Sequence, residues 1–153
     1  MEWFLELVTN PFLVTGLTSW LIAQVIKTII YLIINRTFRA ERLFGDGGMP
    51  SGHSATVTGL AFICLLRCGP GSVEFALALI FAVVVCHDAM CVRREAGKHA
   101  ILLNDIVAIL ESEDLPEVKL KELVGHTPLQ VCVGILIGIL NALLIHFIIL
   151  PIA

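Results

Sequence analysis

The chain has 153 residues, 58% of them hydrophobic and only 15% charged, with a mean hydropathy of +0.93. Soluble domains run nearer half apolar and a quarter charged, so the composition excludes an ordinary water-soluble fold. A net charge of −3 gives no footing for nucleic acid. The length suits a single domain, residues 1–153, and the apolar blocks are too long for a soluble core. The expected fold is all-α, a multi-pass transmembrane bundle.

Residues 1–10 carry Glu2 and Glu6 beside Trp3 and Phe4, aromatics suited to a membrane interface. No basic residue precedes the apolar run, unlike a cleaved signal peptide. Residues 11–35 form the first span, long enough to cross about 30 Å of hydrocarbon. Gln24, Lys27 and Tyr31 share one face of it. A lysine inside a span is costly, so Lys27 either faces the bundle interior or snorkels to the nearby end.

Residues 36–53 make a polar loop with Arg36, Arg39 and Arg42, closing on Gly47-Gly48-Met49-Pro50-Ser51-Gly52-His53-Ser54. Glycines let backbone approach a ligand closely, and successive N–H groups at a helix start favour an anion. Ser51 or Ser54 can cap that helix, and His53 sets a proton donor or acceptor at its mouth. A capped helix start with a surface histidine explains the same stretch without any ligand.

The second apolar segment, residues 54–68, is short for a lipid-facing span and is therefore tilted, extended by its flanks or packed centrally. Gly69-Pro70-Gly71 is a tight turn. The third span, 72–92, carries His87 and Asp88 and ends at Arg93-Arg94. Asp88 is expected to pair with Lys27 or an arginine. A polar insertion, 93–127, follows. Within it residues 94–112 place Leu103, Ile106, Val107 and Leu110 at helical spacing among charged groups, an amphipathic interfacial helix. A short helix from Pro116 to Val124 is expected next, capped by Asp114, with Glu117 reaching back and Gly125 as its stop. The fourth span, 128–150, offers Gly134 and Gly138 as a face for close helix packing.

Five cysteines, Cys64, Cys68, Cys86, Cys91 and Cys132, lie in or beside apolar segments. Cys64 and Cys68, one helical turn apart, could hold a metal or pack as small apolar side chains. With no Cys-x-x-Cys pair and no His/Cys cluster, the packing reading is the one expected. His99, His146 and Asn141 read as helix–helix hydrogen-bonding groups.

Alternating spans bring the loop 36–53, the insertion 93–127 and the end of the first span to one membrane face. That face gathers Lys27, Arg36, Arg39, Arg42, His53, Arg93, Arg94, Lys98, His99 and His126, whereas Arg67 is the sole cation of the other. By the positive-inside rule the rich face is cytoplasmic and both termini lie outside. Lysine, arginine forks, histidines at helix starts and an amide-lined turn together suit an anionic group with three or four oxygens. Gly125-His126-Thr127-Pro128-Leu129-Gln130 opens the last span. Thr127 is an N-cap, Pro128 the first helical residue, and Gln130 completes a capping box. His126 then sits at the positive end of a helix dipole, which favours its neutral, nucleophilic form. A well-capped helix beside an incidental histidine is the bland alternative.

Pro50-Ser51-Gly52-His53, followed downstream by His126-Thr127-Pro128-Leu129-Gln130-Val131 and Gly134, resembles the type 2 phosphatidic acid phosphatase superfamily, which includes vanadium haloperoxidases. The whole set resembles its divergent bacterial and plastid branch. That set comprises the glycine-rich turn, Asp88-Ala89, Val92-Arg93-Arg94, Gly97, Ala100, Leu103-Asn104 and Glu122 to Pro128, and the likeness runs from about Lys27 to Gly138. The resemblance implies that His126 attacks phosphorus to form a phosphohistidine while His53 protonates the leaving oxygen. Lys27 and one of Arg93 or Arg94 would hold the equatorial oxygens, assisted by Ser51 and the Gly52 amide, without metal or cofactor. The chain departs from the superfamily pattern in three places. Lys27 is followed by Arg36 with no proline after it, Arg94 lies 32 residues before His126, and Gln130 stands where an aspartate orients the nucleophile. Glutamine can fix the ring tautomer but brings no charge; Asp88 would substitute if the third span brought it close.

The leading expectation is thus a metal-independent membrane phosphatase acting on a lipid phosphate or diphosphate. A phospholipid-binding or lipid-translocating protein that keeps the cradle without turnover is the alternative, and a structural membrane subunit a third reading. The expected partners are such a lipid and the bilayer, with homo-oligomerisation left open.

Overall fold

A computed structural model describes residues 2–37, 48–109, 120 and 125–149. The described elements are helices: α1 Glu2–Val8, α2 Pro11–Asn35, α3 Gly52–Cys68, α4 Val73–Met90, α5 Val92–Ile109 and α6 Pro128–Leu144, which continues as a π-helical turn, Ile145–Ile149. Side-chain caps set the helix starts. Asn10 accepts from the N–H groups of Phe12 and Leu13 ahead of Pro11 in α2, Ser51 from Ser54 in α3, and Ser72 from Phe75 in α4. Three stretches, Pro11–Asn35, Val73–Ile109 and Pro128–Ile149, are long and apolar enough to cross a membrane, and Gly52–Cys68 is a shorter apolar helix.

The short helix is the central one. α3 packs against α2, α4 and α6, and α2 and α6 also touch each other. Its residues Ala55, Val57, Ala61, Ile63 and Cys64 are buried, while Leu77, Ile80, Phe81 and Val84 of α4 and Leu17, Leu21 and Val25 of α2 are exposed. Small residues inside and large apolar ones outside suit a bundle whose solvent is lipid, where close backbone approach substitutes for a hydrophobic driving force. A Cβ on Gly138 would lie 2.5 Å from the Ala55 carbonyl oxygen and 2.7 Å from the Gly59 nitrogen, and one on Gly134 would lie 2.5 Å from the Ser51 carbonyl oxygen. Gly134 thus meets the start of α3 and Gly138 its next turns, so α3 and α6 run parallel. Both N-termini open on the same membrane edge.

Asn141 fastens the other side of α6. Its Nδ2 donates to the Thr15 carbonyl at 3.1 Å, Thr18 Oγ1 at 2.8 Å and Ser19 Oγ at 2.9 Å. Of the other two residues read as helix–helix bonding groups, His99 is exposed on α5. His146 meets Phe147 edge-on, with Nδ1 buried and unpartnered. Neither makes the expected interhelical bond among the described residues; α5, which carries His99, packs only against α4.

Two boundaries differ from the sequence reading. α4 ends at Met90 and α5 begins at Val92, so Arg93 and Arg94 lie in the first turn of α5 and not at the tip of the third span. Cys91 alone separates the two helices, and helical hydrogen bonds run on through it. α5 buries only Gly97 and Ala100 and exposes Ile101, Leu102, Leu103, Ile106 and Val107. The short helix expected from Pro116 to Val124, with its Asp114 cap, falls outside the described residues except for Leu120, whose N–H and C=O are both bonded by the Asn104 side chain at 3.0 Å.

Gly138→Ala should force α3 and α6 apart and cost about 1–3 kcal/mol, read as a lower thermal midpoint of helical circular dichroism in detergent. Gly71→Ala, where a Cβ would meet nothing within 4 Å, should leave that midpoint unchanged.

Candidate active site

The site forms around the starts of α3 and α6 and the stretch of α2 near Lys27, with the start of α5 held against Gly125 just ahead of α6. Lys27 is only 6% exposed, and its stem lies under Gly48, where a Cβ would sit 3.7 Å from Cγ. Gly48 has φ +82°, a conformation that glycine adopts without cost. It lets the turn drop along α2 until Gly52, the first residue of α3, rests against Trp20 and Gln24. The Met49–Pro50 peptide is cis. α2 continues eight residues beyond Lys27, roughly 12 Å at 1.5 Å per residue. The cradle is therefore sunk well below the end of that helix.

Ser51 is fully buried, with its N–H and its Oγ both bonded. Its N–H donates to the Gln130 carbonyl at 3.1 Å, tying the turn to the first turn of α6. Its Oγ accepts from the Ser54 N–H at 3.3 Å and the Ser54 hydroxyl at 3.0 Å. The Ser51 hydroxyl proton is left to donate. Of the two capping candidates, Ser51 is the N-cap. His53 is exposed in the first turn of α3.

His126 is 3% exposed. Two main-chain contacts pin it: its N–H donates to the Ala89 carbonyl at 3.1 Å, and Gly125 lies so close to the backbone of Arg93 and Arg94 that a Cβ has no room. Its ring Nδ1 lies 3.2 Å from Gln130 Oε1, which also accepts from the Thr127 N–H at 3.0 Å. The capping box is present in full, with Thr127 Oγ1 accepting from the Gln130 N–H. An amide oxygen only accepts, so the ring must donate. The neutral imidazole carries its proton on Nδ1 and a bare lone pair on Nε2. Burial holds the His126 pKa below the usual value. The bond to Gln130 opposes that shift, and the positive charges of Lys27, His53 and Arg93 reinforce it.

That electrostatic neighbourhood also separates the two arginines. Arg93 bears on the His126 ring, whereas Arg94 is exposed and contributes its backbone beneath Gly125. Asp88 pairs with Arg93, Oδ2 accepting from Nε at 2.9 Å, with the two side chains 42% and 39% exposed. It orients the arginine and makes no bond to His126. Among the described residues, Gln130 is the one that bonds the ring. The sequence reading missed two supports of His126. The Ala89 carbonyl carries no side-chain signal, and Gly125 reads as a helix stop when its steric role is what places His126.

A family model described as the divergent PAP2 family matches residues 8–141. YuiD of Bacillus subtilis (strain 168), described as an uncharacterized membrane protein, is 40% identical over 155 residues, spanning 94% of this chain and 98% of that one. No solved structure matches.

His126 should titrate below the ordinary histidine value of about 6.5. Its neutral form is favoured by folding, so the associated stability is present above that value and is lost as pH falls towards the folded pKa. Lys27→Met should raise the titration midpoint and Gln130→Leu should lower it, read from the Cε1 proton resonance of His126 in micelles.

Proposed function

This membrane protein belongs to the divergent PAP2 family, and on that premise we propose that it hydrolyses a lipid phosphate or diphosphate at the cradle around His126. The observation that carries this reading is the double use of Gln130 Oε1, which leaves Nε2 of a buried, neutral histidine free beside Lys27, His53 and Arg93. Phosphoryl transfer asks a protein mainly for positioning and charge neutralisation, and this arrangement offers both. The depth of Lys27 below the end of α2 suits a phosphate whose acyl or prenyl tails stay in the bilayer.

In this mechanism Nε2 of His126 forms a bond to phosphorus as the bond to the leaving oxygen breaks, and His53 gives that oxygen its proton. The neutral His53 then takes a proton from water, whose oxygen attacks phosphorus and breaks the P–N bond, releasing inorganic phosphate. Lys27, Arg93 and the N–H groups opening α3 hold the equatorial oxygens, and Ser51 adds its hydroxyl proton. Each such donor is typically worth 10²–10³ in rate, about 3–4 kcal/mol. Gln130 keeps the tautomer but lends no charge to the phosphohistidine. The protein's own cation excess, Arg39, Arg42, Lys98, Lys119 and Lys121 against Arg67, supports a cytoplasmic site.

A second reading, lipid binding or translocation without turnover, is favoured by the neutral Gln130 together with Asp88, whose charge already offsets Arg93. Purified full-length protein should release phosphate from phosphatidate or a polyprenyl diphosphate in the presence of a chelator, and His126→Ala should release none. Release that survives His126→Ala contradicts the mechanism; no release across such a panel, with lipid binding intact, establishes the second reading. For orientation, an impermeant maleimide applied to right-side-out vesicles should label Cys68 and spare Cys91, both exposed and at opposite ends of the α3–α4 pair. The reverse pattern places the site outside.

A further inference from the structure

One polar side chain beside the cradle has no task in the mechanism above. Gln24 lies one helical turn before Lys27 on the same face of α2. It is only 5% exposed, and its Oε1 is buried without a hydrogen-bond partner. Its Cδ lies 4.0 Å from the point where a Cβ on Gly52 would sit, against the first residue of α3. An unsatisfied buried carbonyl costs about 1–3 kcal/mol, and natural folds seldom leave one without a reason.

The surroundings decide what would satisfy it. Lys27, one turn along α2, and the N–H groups opening α3 both donate, which is what phosphate oxygens need. Gln24 Oε1 can only accept. Against an unprotonated phosphate oxygen it is repulsive, acceptor facing acceptor. Against a phosphate oxygen that carries a proton it makes a hydrogen bond. A phosphomonoester monoanion, or the terminal group of a singly protonated diphosphate, has such an oxygen. A phosphodiester does not.

The geometry points to Gln24 as a specificity-determining residue that accepts the P–OH proton of a terminal phosphoryl group and so selects monoesters over diesters. This rests on the phosphate-site reading above. It extends that reading from a charge match to a discrimination between two lipid classes of equal charge, since a diester and a monoprotonated monoester are both monoanions. One neutral hydrogen bond of about 1–1.5 kcal/mol corresponds to roughly a five- to twelvefold preference.

The test uses the full chain in detergent micelles with two probes whose C–P bond histidine cannot cleave: dodecylphosphonate, which keeps a P–OH at neutral pH, and its monomethyl ester, which has none and whose recovery intact is checked after binding. The parent should bind dodecylphosphonate more tightly. Gln24→Met, close in size and without the acceptor, should weaken dodecylphosphonate about five- to twelvefold and leave the methyl ester where it was. Gln24→Glu restores an acceptor of the same reach. It should keep the preference for dodecylphosphonate even as its charge weakens both probes, so the selectivity can be read even if the methionine variant folds poorly. If Gln24→Met weakens both probes equally, or neither, Gln24 is structural and the inference falls while the phosphate site stands. If the parent binds neither probe, the phosphate-site reading itself falls.

Discussion

The site depends on a single carbonyl oxygen that serves two donors. Gln130 Oε1 takes the Thr127 N–H that closes the capping box of α6 and, on its other side, the Nδ1 proton of His126. The helix cap therefore fixes more than the helix start. It fixes which way the glutamine amide faces, and the amide fixes which nitrogen of the imidazole is bare. An aspartate in this position would orient the ring and stabilise its positive form. Glutamine orients it only, and the burial of His126 with the cations around it then favours the neutral ring. The ring is oriented, but no charge supports its positive form.

That local device works only because the bundle delivers other groups to it. The parallel course of α3 and α6 follows from Gly134 and Gly138, which allow the two backbones to touch. Two helix N-termini then open side by side, linked by the Ser51 N–H to the Gln130 carbonyl. Their dipoles point the same way, toward a common space. α4 adds its last carbonyls, with Ala89 holding the His126 N–H and Asp88 steering Arg93. In lipid such an arrangement is economical: small residues supply packing, and polar side chains supply the few fixed contacts, as Asn141 does near the other end of α6.

Much of this was legible in the residues. The apolar blocks gave the helices, and Thr127-Pro128-Leu129-Gln130 gave the start of α6 to the residue, because capping chemistry is local and depends on side-chain type. Ser51 as the cap of α3 was one of two local options, and only the approach of α6 distinguishes it from Ser54. The break between α4 and α5 was misplaced by two residues, since Cys91 and Val92 carry no helix-breaking signal. The partner of Asp88 was narrowed to Lys27 or an arginine, and in the fold it is Arg93, five residues on in the first turn of α5. Contacts made by main chain, such as the Ala89 carbonyl and the crowding at Gly125, have no side-chain signature. Gln24 was visible as a polar residue on the face of Lys27, but its unsatisfied oxygen is a property of the folded state.

The central claim is a tautomer, and nitrogen resonances report it directly. In the neutral form of His126, ¹⁵N shifts of the selectively labelled ring should show a protonated Nδ1 and an unprotonated Nε2. A proton found on Nε2 would contradict the account, for the lone pair would then point at Gln130 and no nucleophile would face the cradle.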